Sequence, residues 1–176
     1  MRPTPGKWSK IPIPERWNSI CERWQTMETK NVIENLNDLL TKAYDAEEGF
    51  KKAAERAEGL PALQSFFRNQ SDMRLQFGHE LKQAISQYGG TPDKGSSTTA
   101  KLHQVWISVK DALTPNDDGE AILEECIRGE EAALADYEEK LQHADLPSDI
   151  QSLLSNQRTA IASSLATVRA KEKTAD

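Results

Sequence analysis

Two glutamates stand at the centres of apolar stripes with helical spacing, and this feature limits the folds open to the chain. At a turn of 100° per residue, Glu47 and Glu130 each lie within about 20° of the middle of their own hydrophobic face. The surrounding apolar residues are Leu36, Leu40, Ala43, Phe50 and Ala54 for Glu47, and Leu123, Cys126, Leu134, Tyr137 and Leu141 for Glu130. An inward carboxylate is costly unless it is paired, protonated or bound to a metal. The sequence therefore predicts a bundle of amphipathic helices with a buried polar layer.

The composition is typical of one soluble, helix-rich domain, with 176 residues of which 28% are charged and 37% are hydrophobic. No apolar run approaches the roughly 20 residues that span a bilayer, and the N-terminus lacks the hydrophobic stretch of a secretory signal. We therefore expect no transmembrane segment and a cytoplasmic location. The net charge of -6, without a basic stripe interleaved with aromatics, argues against nucleic acid as a partner. Cys21 and Cys126 are too far apart in sequence to form a CxxC metal motif.

Residues 1–28 differ from the rest of the chain and are predicted to be an N-terminal extension. The first 26 residues carry five basic and two acidic side chains, a balance of +3 that leaves -9 for the remainder, and they hold three of the four tryptophans. The spacing of Trp17, Ile20, Cys21 and Trp24 suits a short amphipathic helix that docks on a partner, a membrane surface or the body of the protein. The alternative is a loosely ordered extension, with residues 29–172 forming a complete bundle without it.

The apolar periodicity predicts an all-α fold with four long helices and one short helix. Their approximate ranges are 30–58 (helix A), 61–88 (helix B), 99–113 (helix C), 118–143 (helix D) and 148–169 (helix E). Short connections make A–B and D–E two antiparallel hairpins. The long crossover, with helix C lying along the outside, lets helix D run parallel to helix B. We therefore predict a ferritin-like four-helix bundle with a short extra helix in its crossover.

When residues are counted from the predicted turns, several polar core residues fall at a similar height, meaning a similar position along the bundle axis. The predicted polar layer consists of Glu47, Gln70, Arg74, Glu130 and Gln157. In one interpretation, Arg74 bridges Glu47 and Glu130 through its planar guanidinium, and the two amides use the remaining donors and acceptors. The layer then sets the register of the helices, and no cofactor is needed.

In the alternative interpretation, Glu47, Glu80 and Glu130 are ligands of iron or manganese. A di-metal bundle of this class uses a glutamate from each of two helices and a Glu-x-x-His pair from each of the other two. The Glu-x-x-His pairs are missing here, since Glu80 is followed by Gln83 at that offset and helix E offers only Gln157. A single metal ion between the three glutamates is the other form of this hypothesis.

Four segments of the chain resemble a known family. They are DAEEGF, RLQFGHEL, LHQVW and above all ILEECIRGEEAALADYEE. They are similar to the bacterial ferritin-like four-helix-bundle family designated domain of unknown function 2383, and the resemblance covers about residues 29–170. It implies a ferritin-like fold without an assigned biochemical activity. The chain departs from the family pattern at Leu165-Ala166, where relatives often carry His-Asp.

Two classes of function follow from these observations. The first is a non-catalytic helical protein that associates with itself or with a protein partner, through exposed apolar surface or through the N-terminal arm. The second is a metal-binding protein or oxidase of ferritin-like type. The pattern of residues predicts no catalytic site, so the first class is our main expectation.

Overall fold

The computed structural model describes residues 15–93, 119–143 and 146–173, apart from the side chains of residues 15–25. Within these ranges the chain forms four α-helices and no strand. The all-α prediction is therefore confirmed for this part of the chain. None of the four helices combines the length and the hydropathy that crossing a bilayer requires. Predicted helix C, at residues 99–113, lies outside the described residues.

Three of the four helices have bounds close to the predicted ones, and the first helix is longer. The bounds are Glu15–Arg56 for α1, Pro61–Gln87 for α2, Glu120–Leu141 for α3 and Ser148–Glu172 for α4. Helix α1 begins at Glu15 rather than near Lys30. No glycine or proline lies between these two residues, so nothing in the sequence stops the helix from extending back toward Pro14.

The connection between α1 and α2 is a tight turn that reverses the chain. Gly59 adopts a φ of 92°, which favours glycine, and the backbone N–H of Leu60 donates to the carbonyl oxygen of Ala57 at 3.0 Å. Pro61 occupies the first position of α2, where its missing N–H costs no helical hydrogen bond. Helices α1 and α2 therefore form an antiparallel hairpin.

Contacts at the two ends of the bundle give the directions of the other helices. Gly119, just before α3, lies against the side chains of Leu60 and Leu63 at the start of α2. At the opposite end, the hydroxyl of Tyr88 donates to Oδ1 of Asp149, at the start of α4, at 2.8 Å. Helix α3 thus begins beside the start of α2 and runs parallel to it, as predicted, whereas α4 runs antiparallel to both.

The four helices form a square in cross-section. Helix α1 packs against α2 and α3, and helix α4 packs against the same two helices. Helices α2 and α3 therefore face each other across the diagonal, and each adjacent pair is antiparallel.

The hydrophobic core is divided into two clusters along the bundle axis. The cluster near the α1–α2 turn contains Phe50, Ala53, Ala54, Ala57, Phe67, Ile122, Leu123, Cys126 and Val168. The cluster toward the other end contains Val32, Leu36, Leu39, Leu40, Ala43, Phe77, Leu81, Ala84, Ile85, Tyr137, Ile150, Leu154 and Ile161. Buried polar side chains lie between them, with Arg74 between Phe67 and Phe77 on α2 and Glu130 between Cys126 and Tyr137 on α3. The boundary between the clusters is the candidate functional site.

Candidate functional site: the buried polar networks

The centre of the boundary is an ion pair that reaches across the diagonal from α2 to α3. Nη2 of Arg74 donates to Oε2 of Glu130, and the side chains are 2% and 1% exposed. From α4, the hydroxyl of Ser164 donates to Oε1 of the same carboxylate. Both oxygens of Glu130 are therefore occupied by donors from this chain, and the buried charge has an opposite charge beside it.

The guanidinium of Arg74 also lies near two aromatic rings. Its Cζ atom is 5.9 Å from the ring centroid of Phe50 and 5.4 Å from that of Phe77, within the range of cation–π attraction. These rings belong to different hydrophobic clusters, so Arg74 contacts both halves of the core. Its Nε atom is buried and has no hydrogen-bond acceptor among the described residues.

Glu47 does not share Arg74 with Glu130 as the bridging interpretation expected. Its side chain is 13% exposed and pairs with Nζ of Lys51, one turn further along α1. Its backbone carbonyl oxygen accepts a hydrogen bond from the hydroxyl of Ser71 on α2, at 3.1 Å. Glu47 lies near enough to the edge of the bundle for a lysine at i+4 to reach it, and this local pair replaces the predicted bridge.

Gln157 belongs to a second network that lies further from the α1–α2 turn. The hydroxyl of Tyr137 donates to Oε1 of Gln157 at 2.7 Å, and Nε2 of Gln157 donates to Oε2 of Glu80 at 2.8 Å. Oε1 of Glu80 accepts in turn from Gln76 at 3.2 Å. The structure therefore places Arg74 and Glu130 in one network and Gln157 in another, at a different height along the bundle. Gln70, on the same helix as Arg74, has an Oε1 atom that is buried without a donor among the described residues.

Sequence reasoning missed three buried side chains that make hydrogen bonds at this site. Ser71 and Ser164 are 4% exposed, and Tyr137, which also has 4% exposure, had been counted only as apolar. Ser164 lies at helical spacing between Ile161 and Val168, so its position in the core stripe was visible in the sequence. A small hydroxyl gives a weak signal, because serine is common on exposed helix faces as well.

Burial suppresses the ionisation of two groups close to these networks. Desolvation raises the pKa of Tyr137, and the charge of Glu80 raises it further while that of Arg74 lowers it. Desolvation also raises the pKa of the Cys126 thiol to about 12, with additional contributions from Glu130 and Glu125. Cys126 is therefore a neutral core residue at physiological pH, without the thiolate character of a nucleophile or metal ligand.

The three carboxylates named as alternative metal ligands make contacts with other side chains. Glu47 pairs with Lys51, Glu130 accepts from two donors, and Glu80 accepts from two amides. In the described part of the chain, no group of three or more His, Cys, Asp or Glu side chains has an arrangement that could hold a metal ion. Of the buried side-chain atoms without a partner named above, Nε of Arg74 is a donor on a cation, and Oε1 of Gln70 is a single acceptor, whereas a metal needs several acceptors.

The fold and these networks define an all-helical bundle whose hydrophobic core is crossed by a buried ion pair. The chain belongs to the family described as Domain of unknown function (DUF2383), whose model matches residues 31–143. This match confirms the family resemblance identified in the sequence. The matched residues include most of α1, all of α2 and α3, and both members of the ion pair, while α4 lies beyond them. No curated protein matches the chain.

Proposed function

We propose that this protein is a non-catalytic, ferritin-like helical bundle that works by association, with itself or with a protein partner. The ferritin-like assignment is supported by two antiparallel hairpins and by the parallel course of α2 and α3, which is the arrangement that a long crossover produces. The proposal includes the cytoplasmic location expected from the sequence, which cell fractionation can check.

The observation that carries the non-catalytic role is the state of the Glu130 carboxylate, which is 1% exposed and accepts a hydrogen bond at each oxygen, from Arg74 and from Ser164. A general base or a metal ligand needs a free lone pair directed toward substrate or metal. A carboxylate held by a guanidinium and a hydroxyl instead links α2, α3 and α4, and thereby selects one register of the bundle.

Association is supported by an exposed apolar side chain on the N-terminal half of α1 and by the apolar spacing of the sequence before it. Met27 is 48% exposed on α1. It stands three residues after Trp24 and therefore continues the apolar spacing that begins at Trp17. Apolar residues that follow one helix face suit contact with another apolar surface.

The association is tested by sedimentation equilibrium of the full chain over a range of concentrations. We expect self-association, or a complex with a partner, to weaken at least tenfold in the double variant Trp17→Ser/Trp24→Ser. The matched control is Asn18→Ser/Gln25→Ser, which changes two polar residues of the sequence at the same seven-residue spacing and should change nothing. Equal effects of the two double variants, or none, would contradict the proposed role of this face.

The alternative function, iron or manganese binding by Glu47, Glu80 and Glu130, is tested separately. Protein purified without chelator is analysed for metals, and the melting temperature is measured with and without chelator. We expect far less than one iron or manganese per chain and no change in melting temperature. A stoichiometric metal that is lost in Glu130→Gln would replace our proposal with the metal-binding one.

A further inference from the structure

A groove with mostly apolar walls lies between α1 and α3, and we call it the α1–α3 cleft. Its volume is about 240 Å³. Small side chains leave this space open on both walls, namely Ala46 and Gly49 on α1 and Ala132 and Ala133 on α3, and the buried ring of Phe50 lines it as well. Protein interiors contain few voids larger than a water molecule, so an apolar space of this size beside the core is unusual.

The chain leaves α2 along the surface of α1. After α2, the backbone carbonyl oxygen of Thr91 accepts a hydrogen bond from Nδ2 of Asn37 at 3.3 Å, and the backbone N–H of Asp93 donates to Oδ1 of the same side chain at 2.8 Å. Gly90 also lies close to α1, since a Cβ atom added there would be 2.7 Å from Cγ2 of Ile33. The last described residues before the crossover are therefore held on α1.

The chain returns at the opposite end of the bundle, where Gly119 lies against Leu60 and Leu63. At a rise of 1.5 Å per residue, the part of the bundle between Asn37 and Leu60 is about 35 Å long. Residues 94–118 can span this length, because predicted helix C accounts for about 22 Å and the five residues on each side of it reach up to roughly 16 Å. A course that leaves along α1 and ends at the start of α3 passes the α1–α3 cleft, whereas a course between α2 and α4 requires the chain to turn back across α2.

We propose that the α1–α3 cleft is the docking site of predicted helix C, with the indole ring of Trp106 inside the cleft. Trp106 is the middle residue of 94–118. Gly49, which lines the cleft, lies about halfway between Asn37 and Leu60, so the indole and the cleft fall at a similar height. An engineered apolar cavity of about 150 Å³ in another protein holds benzene, so about 240 Å³ accommodates the larger ring system of an indole.

The sequence of predicted helix C suits an apolar groove with acidic residues on both walls. Its apolar residues form one stripe with helical spacing, and they are Leu102, Val105, Trp106, Val109 and Leu113. At 100° per residue, Lys101 and Lys110 lie about 90° from the middle of this stripe, on opposite sides of it. The cleft has Asp45 on its α1 wall and Asp136, which also pairs with Lys42, on its α3 wall. Each lysine of the docked helix therefore faces a wall that carries an acidic side chain.

A docked helix also keeps water away from the buried ion pair. Arg74 and Glu130 line the cleft, and an apolar segment above them lowers the local dielectric constant, which strengthens their attraction. The docking is independent of the proposed association, which concerns the N-terminal half of α1, and it makes this groove unavailable to a partner.

Photocrosslinking of the full chain tests the location of Trp106. The residue is replaced with p-benzoylphenylalanine, which is also a large aromatic amino acid, and the products of irradiation are mapped by mass spectrometry. We expect crosslinks within one chain, to residues 42–50 and 125–136. Gln104 is the matched control, because it lies on the opposite side of predicted helix C, and the same replacement there should give at least about tenfold less of these products. Crosslinks to α4, crosslinks between two chains, no crosslinks, or equal yields from the two positions would overturn the proposal.

Fluorescence quenching tests whether the cleft itself holds the ring. When Trp8, Trp17 and Trp24 are replaced by phenylalanine, Trp106 is the one tryptophan of the chain. An indole inside the cleft is shielded from solvent, so acrylamide should quench its emission several-fold more weakly in the folded protein than in the same protein unfolded by urea. Equal quenching of the folded and unfolded protein would contradict the docking.

Two further substitutions in this single-tryptophan protein locate the ring. Ala133→Leu fills the cleft and should raise the quenching of Trp106 toward the unfolded value. Ala135→Leu makes the same change at an exposed position of α3 and should leave the quenching unchanged. Circular dichroism checks that both variants keep their helices. If Ala133→Leu folds and leaves the quenching unchanged, the indole is shielded somewhere other than the cleft, and the proposal is wrong.

Discussion

Arg74 and Glu130 form a buried ion pair across the diagonal of the bundle, from α2 to α3. Most helix contacts in the described structure join adjacent helices, whereas this pair joins the two that face each other. It also lies between the two hydrophobic clusters, so a shift of α3 by one turn would bring Glu130 into apolar surroundings. The pair therefore favours one register of α3 relative to α2 over its alternatives.

Replacing Arg74 with methionine should destabilise the protein strongly. The variant leaves the Glu130 carboxylate buried without its counter-ion, and we expect a loss of about 3–5 kcal/mol in the free energy of unfolding. Urea denaturation followed by circular dichroism measures this value. Arg128→Met is the control, because Arg128 is 61% exposed and pairs with Glu125 at the surface, and it should cost less than about 1 kcal/mol.

The double variant Arg74→Met/Glu130→Met separates the pair from the packing of its side chains. The double variant leaves no buried charge without a counter-ion, and two methionines can pack against each other. It should therefore be much more stable than Arg74→Met alone. If Arg74→Met were nearly neutral, or if the double variant lost the sum of both single effects, the ion pair would not hold the role assigned to it here.

The arrangement of the helices was largely predictable from the sequence, because it follows from periodicity and connection length. Gly59 and Pro61 marked the first turn, and the long segment before Gly119 predicted that α3 runs parallel to α2. The start of α1 was predicted near Lys30 but lies at Glu15. An apolar stripe indicates where a helix is buried, whereas the helix itself continues until a breaker stops it.

The polar networks were less predictable because they depend on small rotations of each helix about its axis and on the side chains that lie nearby. Counting from the turns brought Arg74 and Glu130 to one height, and the structure pairs them. The same counting grouped Glu47 and Gln157 with them, yet Glu47 turns to Lys51 and Gln157 bonds to Tyr137. The residue number fixes the position of a side chain along the helix axis. Which of the donors within reach it bonds to depends on how the surrounding side chains pack.

Tyr137→Phe should weaken the second network. Without the hydroxyl, Oε1 of Gln157 stays buried without its donor, and we expect a loss of about 1–3 kcal/mol in the free energy of unfolding. Tyr88→Phe is the matched control, since its hydroxyl donates to Asp149 at an exposed position and its removal should cost less than about 1 kcal/mol. Similar losses in both variants would mean that burial of the Tyr137–Gln157 hydrogen bond adds nothing to its contribution to the free energy of unfolding.

Two glycines inside helices should respond differently to alanine. At Gly129 a Cβ atom has open space, so Gly129→Ala should stabilise the protein by up to about 1 kcal/mol through helix propensity. At Gly78 the new Cβ would lie 3.1 Å from the Tyr44 ring, which is also covered by the ammonium group of Lys82. Thermal unfolding should therefore rank Gly129→Ala above the wild type and Gly78→Ala no higher than the wild type. The reverse order would show that the Tyr44 ring moves away from the new Cβ atom at residue 78 without cost.

Deleting residues 1–26 should change the stability of the bundle little. The buried hydrophobic residues that the structure describes begin at Val32, and the two core clusters that they form include residues of all four helices. Calorimetry should place the melting temperature of the truncated chain within a few degrees of the full chain. A large drop would mean that the tryptophans of this segment contribute to the core.

Cys126 should make the protein less stable at alkaline pH. Burial raises the pKa of its thiol from 9.0 to about 12, so the folded state keeps the proton while the unfolded state releases it. Because the folded pKa is the higher one, the stabilisation is fully present below pH 9 and is lost as the pH rises toward 12. Complete loss corresponds to an energy on the order of 4 kcal/mol.

The measurement is the free energy of unfolding from neutral pH to about pH 10.5, for the wild type and for Cys126→Ala, under reducing conditions. Other titrating groups cancel in the difference between the two curves, which should be flat near neutrality and then fall for the wild type. A difference that stays flat throughout this range would show that the thiol ionises in the folded protein as easily as in the unfolded chain.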